Sequence, residues 1–263
     1  MSSATRTPSA APDRDSERDS ERARADAAAA GGAEKRGYVQ QIFSDIAPSY
    51  DLLNHLLSFN IDKRWRTRAI AQLNLSRAPR GRYLDLCAGT LDVSAQLAAT
   101  RGFGGYVVSA DFAEPMLRAG LGKTAAGGIG PVTADALDLP LANESMSGAI
   151  VAFGIRNVVK LDACLREVHR VLEPGARFVI LEFTTPGNPL FRALYTTYFH
   201  AILPRIGGLI SGHRTAYAYL PKSVAHFPAE PALAEAMRGA GFANVSWRSL
   251  TMGIAAIHVG EKR

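Results

Sequence analysis

The sequence predicts an α/β protein built on a mostly parallel sheet of seven strands with helices on both faces. Two observations carry this prediction. From Gly81 onward, short β-forming runs alternate with helical patterns, which is the rhythm of repeated strand–helix–strand units. The chain has 263 residues, of which 47% are hydrophobic, and this is enough for one large domain with a sizeable core.

Residues 1–36 are predicted to be a disordered tail. They consist mainly of Ser, Ala, Arg, Asp and Glu, with hardly a large apolar side chain, so they cannot bury enough surface to offset the entropy lost on ordering. They also contain no apolar stretch of signal-peptide length. Residues 37–263 are expected to form the folded domain.

Residues 37–80 are expected to form a helical cover that precedes the sheet. The pattern predicts a helix over Val39–Ile46 and another over Asp62–Leu73, the second capped by its first residue. Tyr50 and Asp51 lie in the break between them, where they form either a helix-cap turn or part of a site. Because these helices come before the first strand, we expect them to lie over its C-terminal edge.

The elements that follow are predicted in a regular order along the chain. They are strand Arg82–Leu86, helix Leu91–Ala99, strand Tyr106–Asp111, helix Glu114–Leu121, strand Pro131–Ala134, strand Ser147–Phe153, helix Leu161–Leu172 and strand Ala176–Phe183. Residues 184–228 contain five prolines and many aromatic side chains, so they are predicted to be a lid insertion with amphipathic helices. The last predicted elements are helix Pro231–Ala240 and strands Asn244–Leu250 and Ile254–Val259.

The first predicted strand carries Asp85 and breaks at Gly89 and Thr90 into a helix. Such a turn lets backbone N–H groups and the helix N-terminus face a ligand, and small residues let the ligand approach the main chain. Nucleotide-type cofactors use this geometry. Cys87 and Leu91 occupy the positions of two further glycines, so the turn matches neither a dinucleotide fingerprint nor a phosphate-binding loop. An ordinary strand–helix turn is the alternative.

Two further acidic residues follow at the ends of the next strands. Asp111 comes about 20 residues after the turn, the spacing at which a carboxylate accepts hydrogen bonds from a ribose diol. Asp135 is placed to accept a hydrogen bond from an adenine amine, and Ala136 offers a backbone N–H to a ring nitrogen. Because ligands bind at the carboxyl ends of parallel strands, these residues are expected to share one cavity with the turn.

A polar pair, Arg156 and Asn157, follows the fourth predicted strand directly. It places a guanidinium beside the expected ligand, where a substrate has to enter. A surface ion pair is the alternative role for Arg156.

The net charge does not distinguish between several kinds of ligand, whereas the cysteine and histidine content argues against some types of site. The net charge of +6 suits nucleic acid, anionic lipid or an acidic ligand without choosing among them. The two cysteines, Cys87 and Cys164, and the scattered histidines imply neither a disulfide framework nor a zinc site. We therefore predict no metal and expect a cytoplasmic location. The best candidate for a membrane span, Leu190–Ile210, is interrupted by two arginines and a proline.

Several stretches together resemble the ubiquinone/menaquinone biosynthesis C-methyltransferases. They are F-x-x-I-A-x-x-Y-D-x-x-N-x-x-L-S-F at 43–59, F-G-I-R-N-V at 153–158, R-V-L-x-P-G at 170–175, L-E-F at 181–183, L-P at 203–204, Y-x-Y-L at 217–220 and G-I-A-A-x-H-x-G at 253–260. The combination of the Y-D-x-x-N and F-G-I-R-N stretches is specific to this family. The likeness extends from about Val39 to the C-terminus.

The resemblance implies the Rossmann-like fold of class I S-adenosylmethionine-dependent methyltransferases, with S-adenosylmethionine as the cofactor. It implies cofactor contacts at Thr90, Asp111, Asp135 and Ala136. The turn itself adds Asp85 and Gly89 to the predicted cofactor site. Leu91 departs from the family pattern, since many methyltransferases have the last glycine of the turn at that position.

The reaction implied by the resemblance is methylation of a ring carbon of a polyprenyl quinol, either demethylmenaquinol, which we favour, or 2-methoxy-6-polyprenyl-1,4-benzoquinol. A ring carbon ortho to a hydroxyl becomes nucleophilic when that oxygen loses its proton, so positioning and charge stabilisation carry the catalysis. Arg156 is the candidate for the charge, and Tyr50 and Asp51 for the proton relay. The prenyl tail needs an apolar path, for which the lid insertion is the candidate. Peripheral contact with the inner face of the membrane follows as an expectation.

Two other functions fit parts of the sequence. A nucleic-acid methyltransferase suits the positive charge, but amine-directed enzymes of that kind have an Asn/Asp-Pro-Pro-aromatic segment where this chain has F-G-I-R-N. No nucleic-acid partner is therefore expected. A non-catalytic S-adenosylmethionine-binding module is compatible with the single glycine of the turn. The sequence leaves open whether the chain forms a homo-oligomer.

Overall fold

The computed structural model describes residues 23–28, 31, 35–47, 58, 60–125, 127–198 and 214–263. Tyr50 and Asp51, together with most of the break between the first two predicted helices, lie outside these residues. The middle of the predicted lid insertion, residues 199–213, also lies outside them.

One seven-stranded sheet organises the described residues, in the order β3-β2-β1-β4-β5-β7-β6. Its strands are β1 Arg82–Leu86, β2 Tyr106–Asp111, β3 Ile129–Thr133, β4 Met146–Ala152, β5 Leu172–Phe183, β6 Ala243–Leu250 and β7 Ala255–Glu261. Strands β1 to β5 are parallel, whereas β7 runs antiparallel to both β5 and β6. The predicted mostly parallel sheet of seven strands is therefore confirmed.

Helices flank this sheet on both faces. They are α1 Lys35–Ile46, α2 Ile61–Ile70, α3 Asp92–Ala98, α4 Glu114–Gly120, α5 Leu161–Val171, α6 Pro189–Thr197, α7 Arg214–Ala225 and α8 Glu230–Gly239. A short 3-10 turn, Ile155–Asn157, follows β4. No helix in the described part of the chain is both long and apolar enough to cross a bilayer.

Alternation along β1 shows how the two faces of the sheet are buried. Leu84 and Leu86 pack into the core cluster that includes Val168 of α5. Tyr83 points the other way, into the cluster that includes Trp65 of α2 and Leu97 of α3. Since successive side chains of a strand face opposite sides, a strand buried on both faces must be apolar at nearly every position. Asp85 is the exception among the buried residues of β1.

Part of the tail that was predicted to be disordered is helical in the structure. Residues 23–28 form a short helix in which Ala25 and Ala28 are buried against the cluster of Tyr38 and Tyr219. The prediction of disorder was based on the lack of large apolar side chains, and it did not consider that alanines can be buried by close packing. Helix α1 likewise begins at Lys35, four residues before the predicted start, because the Lys35 side chain is buried and bonded.

The start of α2 also differs from the prediction. The residue before the helix is Asn60, in the left-handed conformation and without a side-chain cap. Asp62 lies inside the first turn, where it accepts a hydrogen bond of 2.6 Å from Ser58 and pairs with Arg66 at 3.0 Å. The carboxylate of Asp62 was predicted to cap the helix, but it is instead bonded to Ser58 and Arg66.

Two helices of the predicted lid insertion are described, α6 and α7. Asn188 caps α6 by accepting a hydrogen bond of 2.9 Å from the Leu190 backbone, and Pro189 occupies the first turn, where it loses no helical bond. The inner side of the lid packs through Tyr195 and Tyr219 against α1. The cover helix α1 and the lid thus meet above the C-terminal ends of the strands.

Candidate active site

A cavity of about 260 Å³ lies at the C-terminal ends of β1 to β4. The turn after β1, the ends of the next three strands and helix α1 all contribute to its wall. The lining includes Arg36, Phe43, Gly89, Asp111, Phe112, Met116, Asp135, Ala136, Leu137 and Asn157. Gly89, Asp111, Asp135 and Ala136, which the sequence predicted to bind one cofactor, are therefore brought together.

Asp111 ties the end of β2 to the turn after β1. One of its carboxylate oxygens accepts a hydrogen bond of 2.8 Å from the Gly89 backbone, and the other accepts one of 2.8 Å from the Ala113 backbone. Burial raises the pKa of Asp111, and these backbone donors oppose the shift. Each carboxylate oxygen can accept a further bond, so Asp111 can hold a diol while it fixes the turn. The ribose contact stays a prediction.

Asp135 follows β3, beside the end of β2, and contacts the cover helix. It pairs with Arg36 of α1 at 3.0 Å and accepts a hydrogen bond of 3.0 Å from the Leu137 backbone. The Arg36 side chain is 62% exposed, so the pair can open for a ligand at small cost. Arg36 was not predicted, because it lies in a charge-rich segment that gives no helical or motif signal.

Three residues of the turn after β1 have a left-handed backbone conformation. Cys87, Gly89 and Leu91 have φ values of 53°, 52° and 67°, all in the left-handed region. A non-glycine residue there costs on the order of 1–3 kcal/mol, and such strain is typical of ligand sites. The conformation explains why many methyltransferases have glycine where this chain has Leu91. Gly154 after β4 is required for another reason, since a Cβ there would overlap the Cβ of Cys87.

Asp85 and Thr90 do not line the cavity, and their contacts with the cofactor stay a prediction. Asp85 is 1% exposed and accepts a hydrogen bond of 2.6 Å from Ser94 of α3. Thr90 is buried, and its carbonyl accepts a bond of 2.7 Å from Lys123. Because side chains alternate along β1, Asp85 points to the α3 face and not along the strand towards its end. Asp85 and Thr90 therefore connect the turn to neighbouring segments of the chain through Ser94 and Lys123.

The protonation of Asp85 leads to a test of stability against pH. Burial raises the pKa of Asp85 to about 7, although the Ser94 bonds and the charge of Arg66 oppose the shift. The folded state therefore holds a proton that the unfolded state releases, and stability falls as pH rises from about 4 to about 7. We expect Asp85→Asn to flatten this slope and to be more stable than the parent at pH 8, by as much as about 4 kcal/mol.

Urea unfolding of both proteins between pH 4.5 and 8 measures this effect. Asp162→Asn is a matched control, because Asp162 is exposed in the first turn of α5. Equal pH slopes for the parent and Asp85→Asn would contradict a raised pKa at this carboxyl.

Arg156 lies in the 3-10 turn after β4 and is buried, with 6% of its side chain exposed. Its guanidinium donates to the Glu182 carboxylate at 2.8 Å, to the Phe153 carbonyl, and to the Ser223 hydroxyl at 3.2 Å. The sequence predicted a guanidinium that faces the cavity or a surface ion pair. The structure shows neither, since Arg156 is in a buried pair just behind the cavity wall.

The buried pair joins three elements at one point. Arg156 belongs to the loop after β4, Glu182 ends β5, and Ser223 belongs to the lid helix α7. From α1, Lys35 donates to the carbonyls of Arg156 and Val158 at 3.0 and 3.2 Å. Burial and the charge of Arg156 lower the pKa of Lys35, and burial raises that of Glu182 against the effect of Arg156. Residues 153–158, which form one side of the cavity, are therefore fixed by the cover, the sheet and the lid.

Some of the residues at this site received no role from the sequence. Phe43 lies in a stretch that carried the family resemblance, and Glu182 lies near the end of a predicted strand, so each had a signal. Lys35 and Ser223 had none, because their contacts are far apart in the chain. No group of three or more His, Cys, Asp or Glu side chains among the described residues could hold a metal ion. The absence of a metal from the reaction stays a prediction.

The cavity suits a nucleoside that carries an amino-acid arm. Asp111 and Asp135 offer acceptors for hydroxyl and amine donors, and Gly89 allows close approach to the main chain. Phe112, Met116 and Leu137 supply apolar surface for a purine. Together with the order and direction of the seven strands, this site defines a class I S-adenosylmethionine-dependent methyltransferase.

Comparison with known proteins identifies the family within this class to which the chain belongs. The sequence pattern of the ubiE/COQ5 methyltransferase family matches residues 31–262, so the chain belongs to that family. It is an S-adenosylmethionine-dependent C-methyltransferase, as the resemblance implied.

Two relatives show how far the similarity extends. The demethylmenaquinone methyltransferase of Thermus thermophilus is 48% identical over 223 residues, which cover 84% of this chain and 100% of that protein. The ubiquinone/menaquinone biosynthesis C-methyltransferase UbiE of Geotalea daltonii is 44% identical over 233 residues, 87% of this chain and 98% of that protein.

A solved structure supports the fold. A SAM-dependent methyltransferase from Thermotoga maritima, described as a possible histamine N-methyltransferase, superposes with a TM-score of 0.58. The match covers 85% of this chain and 99% of the other, at 15% identity. At that identity the likeness concerns the fold alone.

Proposed function

We propose that this enzyme transfers the methyl group of S-adenosylmethionine to a ring carbon of a polyprenyl quinol, and that the quinol is demethylmenaquinol. The observation that carries the proposal is the 48% identity to a demethylmenaquinone methyltransferase over that protein's whole length. A benzoquinol of ubiquinone biosynthesis is the second candidate, favoured by the relatives named for both quinones.

The residues of the cavity act by positioning. Bound S-adenosylmethionine supplies an electrophilic methyl group. Asp111 at the end of β2 and Asp135 after the neighbouring strand β3 hold the sugar and the base, and the turn at Gly89 allows the close approach. The hydroquinone ring then has to present the carbon next to an ionising hydroxyl. In such a site the rate depends on orientation and on exclusion of water, with no covalent nucleophile on the protein.

Arg156 is proposed to stabilise the phenolate-like charge that develops on the ring oxygen. Its buried position strengthens its field, because the surrounding dielectric is low. Glu182 offsets part of that charge and holds the guanidinium in one orientation at 2.8 Å. Tyr50 and Asp51 lie outside the described residues, and we retain them as the proposed proton relay.

The prenyl tail is proposed to leave the site along the lid, which then meets the surface of an anionic membrane. Leu190 and Leu194 lie one turn apart on α6 and are 76% and 66% exposed. Exposed leucines at this spacing form one apolar face of a helix, which suits insertion at the level of the lipid headgroups. The positive charge of the chain favours an anionic surface.

Leu194→Glu tests this face. We expect the variant to bind anionic vesicles at least about 10-fold more weakly, because a charge replaces apolar surface that would insert. Its turnover should fall more on long-tail quinols than on short-tail analogues. Thr196→Glu is the matched control, since it adds the same charge to an exposed position on another side of α6. Equal vesicle binding by the two variants would exclude α6 as the contact.

The proposed reaction is tested by supplying the purified protein with S-adenosylmethionine and each reduced quinone precursor. Mass spectrometry then shows which precursor gains a methyl group. Transfer to demethylmenaquinol is the expected result, and transfer only to the benzoquinol would establish the second candidate. Binding of S-adenosylmethionine without transfer to any quinol would indicate a non-catalytic binding module.

A further inference from the structure

Tyr219 of the lid helix α7 carries a buried hydroxyl without a hydrogen bond. The residue is 2% exposed, and within the described part of the chain its hydroxyl has no donor or acceptor in reach. Tyr83 shows the usual arrangement, because its buried hydroxyl donates to the Ala78 carbonyl at 3.1 Å. A buried hydroxyl that has lost its water and gained no partner destabilises the fold, so such a group points to a ligand or a function.

Helix geometry places this hydroxyl beside the buried ion pair. Tyr219 and Ser223 are four residues apart on α7, so their side chains project from the same face. Ser223 accepts the hydrogen bond from Arg156, which directs that face towards Arg156 and Glu182. The ring of Tyr219 also packs edge-on against Tyr38 of α1, with 5.8 Å between ring centroids. The hydroxyl therefore lies between lid and cover.

The electrostatics agree with this placement. Burial raises the pKa of Tyr219 to about 12, with a lowering effect from the charge of Arg156 and raising effects from Tyr38 and Glu182. A phenol with such a pKa stays protonated at neutral pH. Its hydroxyl can therefore donate a hydrogen bond to an acceptor on a ligand.

The loop after β4 borders both the cofactor cavity and the lid helix that carries Tyr219. Gly154 and Asn157 line the cavity from one side of the loop, whereas Tyr219 does not contribute to the cavity wall. Arg156 of the same loop faces Ser223 of α7 on the lid side. Methyl transfer requires a second ligand next to the cofactor, and the acceptor ring has oxygens that need donors. A protonated phenol next to a guanidinium fits an aryl oxygen on which negative charge develops.

We propose that the hydroxyl of Tyr219 donates a hydrogen bond to a ring oxygen of the quinol, which binds between α7 and the loop of residues 153–158. This inference rests on the proposed function and adds to it the place of the acceptor ring and a residue that contacts it. The lid then takes part in recognition of the ring as well as of the tail.

Tyr219→Phe tests the inference, because it removes only the oxygen. We expect its affinity for S-adenosylmethionine to be unchanged and its kcat/KM for the quinol to fall at least about 10-fold, since a bond to a developing charge is lost. Its resistance to urea should equal or exceed that of the parent, because an unpaired buried hydroxyl is gone. Tyr83→Phe is the control, with lower stability from loss of a paired hydroxyl and unchanged kcat/KM.

Two results would overturn the inference. One is a Tyr219→Phe protein with reduced stability and parental kinetics, which would show a structural partner for the hydroxyl. The other is equal affinity of parent and variant for a short-tail quinol, measured by calorimetry with S-adenosylhomocysteine present. A parent protein that binds the quinol but methylates none would refute the proposed function instead, and the binding comparison would still decide the role of Tyr219.

Discussion

Replacing Arg156 with alanine is expected to lower the free energy of unfolding by about 3–5 kcal/mol and kcat by at least about 100-fold. The loss of stability follows because Glu182, with 1% of its side chain exposed, would keep a buried charge without its partner. The loss of turnover follows because the loop of residues 153–158 would lose the bonds that join it to β5 and α7. Urea unfolding and single-turnover methyl transfer measure the two effects.

A double replacement separates stability from catalysis. In Arg156→Met/Glu182→Leu no buried charge is left unpaired, and such replacements often recover the stability that a single one loses. We expect the double variant to regain most of the lost stability and to remain at least about 100-fold slower than the parent. Recovery of both properties would mean that Arg156 only maintains the fold. Full turnover with unchanged cofactor affinity in Arg156→Ala would refute the proposed role.

Changing the pH gives a check on the same pair. Burial already raises the pKa of Glu182 while Arg156 opposes the shift, so loss of Arg156 should raise this pKa further. At low pH the carboxyl of Arg156→Ala is then neutral, and no unpaired charge is buried. The stability deficit of Arg156→Ala should therefore be smaller at pH 5 than at pH 8.

The strands at the centre of the sheet could be predicted from the sequence because their signal is local. β1 and β2 have the predicted bounds, since continuous apolar runs end at acidic residues and turn residues. The sharing of one cavity by Asp111 and Asp135 also followed, because the carboxyl ends of parallel strands lie at one edge. Both inferences depend on backbone rules that hold whatever the distant contacts are.

The directions and partners of side chains could not be predicted from the sequence. Asp85 lies in the right strand, but the pleat turns it towards α3 and away from the cavity. Arg156 lies in the right loop, but its charge is balanced by Glu182 and tied to Ser223, which is 67 residues away in the chain. Such pairings depend on how the lid packs against the sheet, and they cannot be predicted from the spacing of residues in the sequence.

Loss of Asp111 is expected to have the largest effect on cofactor binding. Asp111→Ala should bind S-adenosylmethionine at least about 100-fold more weakly, because it would lose the two proposed hydrogen bonds from the ribose diol, which to a charged acceptor are worth about 3 kcal/mol or more together. The turn should also loosen, since the Gly89 and Ala113 backbones lose their acceptor. Thermal unfolding should then show little stabilisation on addition of the cofactor, whereas the parent should show a clear rise in Tm.

A graded series of variants distinguishes the ribose contact from a general effect of charge. Asp135→Asn removes the second acidic charge of the cavity wall and should weaken cofactor binding by about 10-fold, as expected for one hydrogen bond. Asp162→Asn removes an exposed charge that is not part of the cavity wall and should leave binding unchanged. Isothermal titration of the three variants should give the order Asp111→Ala, Asp135→Asn, Asp162→Asn from weakest to strongest. A folded Asp111→Ala protein with parental affinity would show that the cofactor is held by other groups, because the diol would then have no need of this carboxylate.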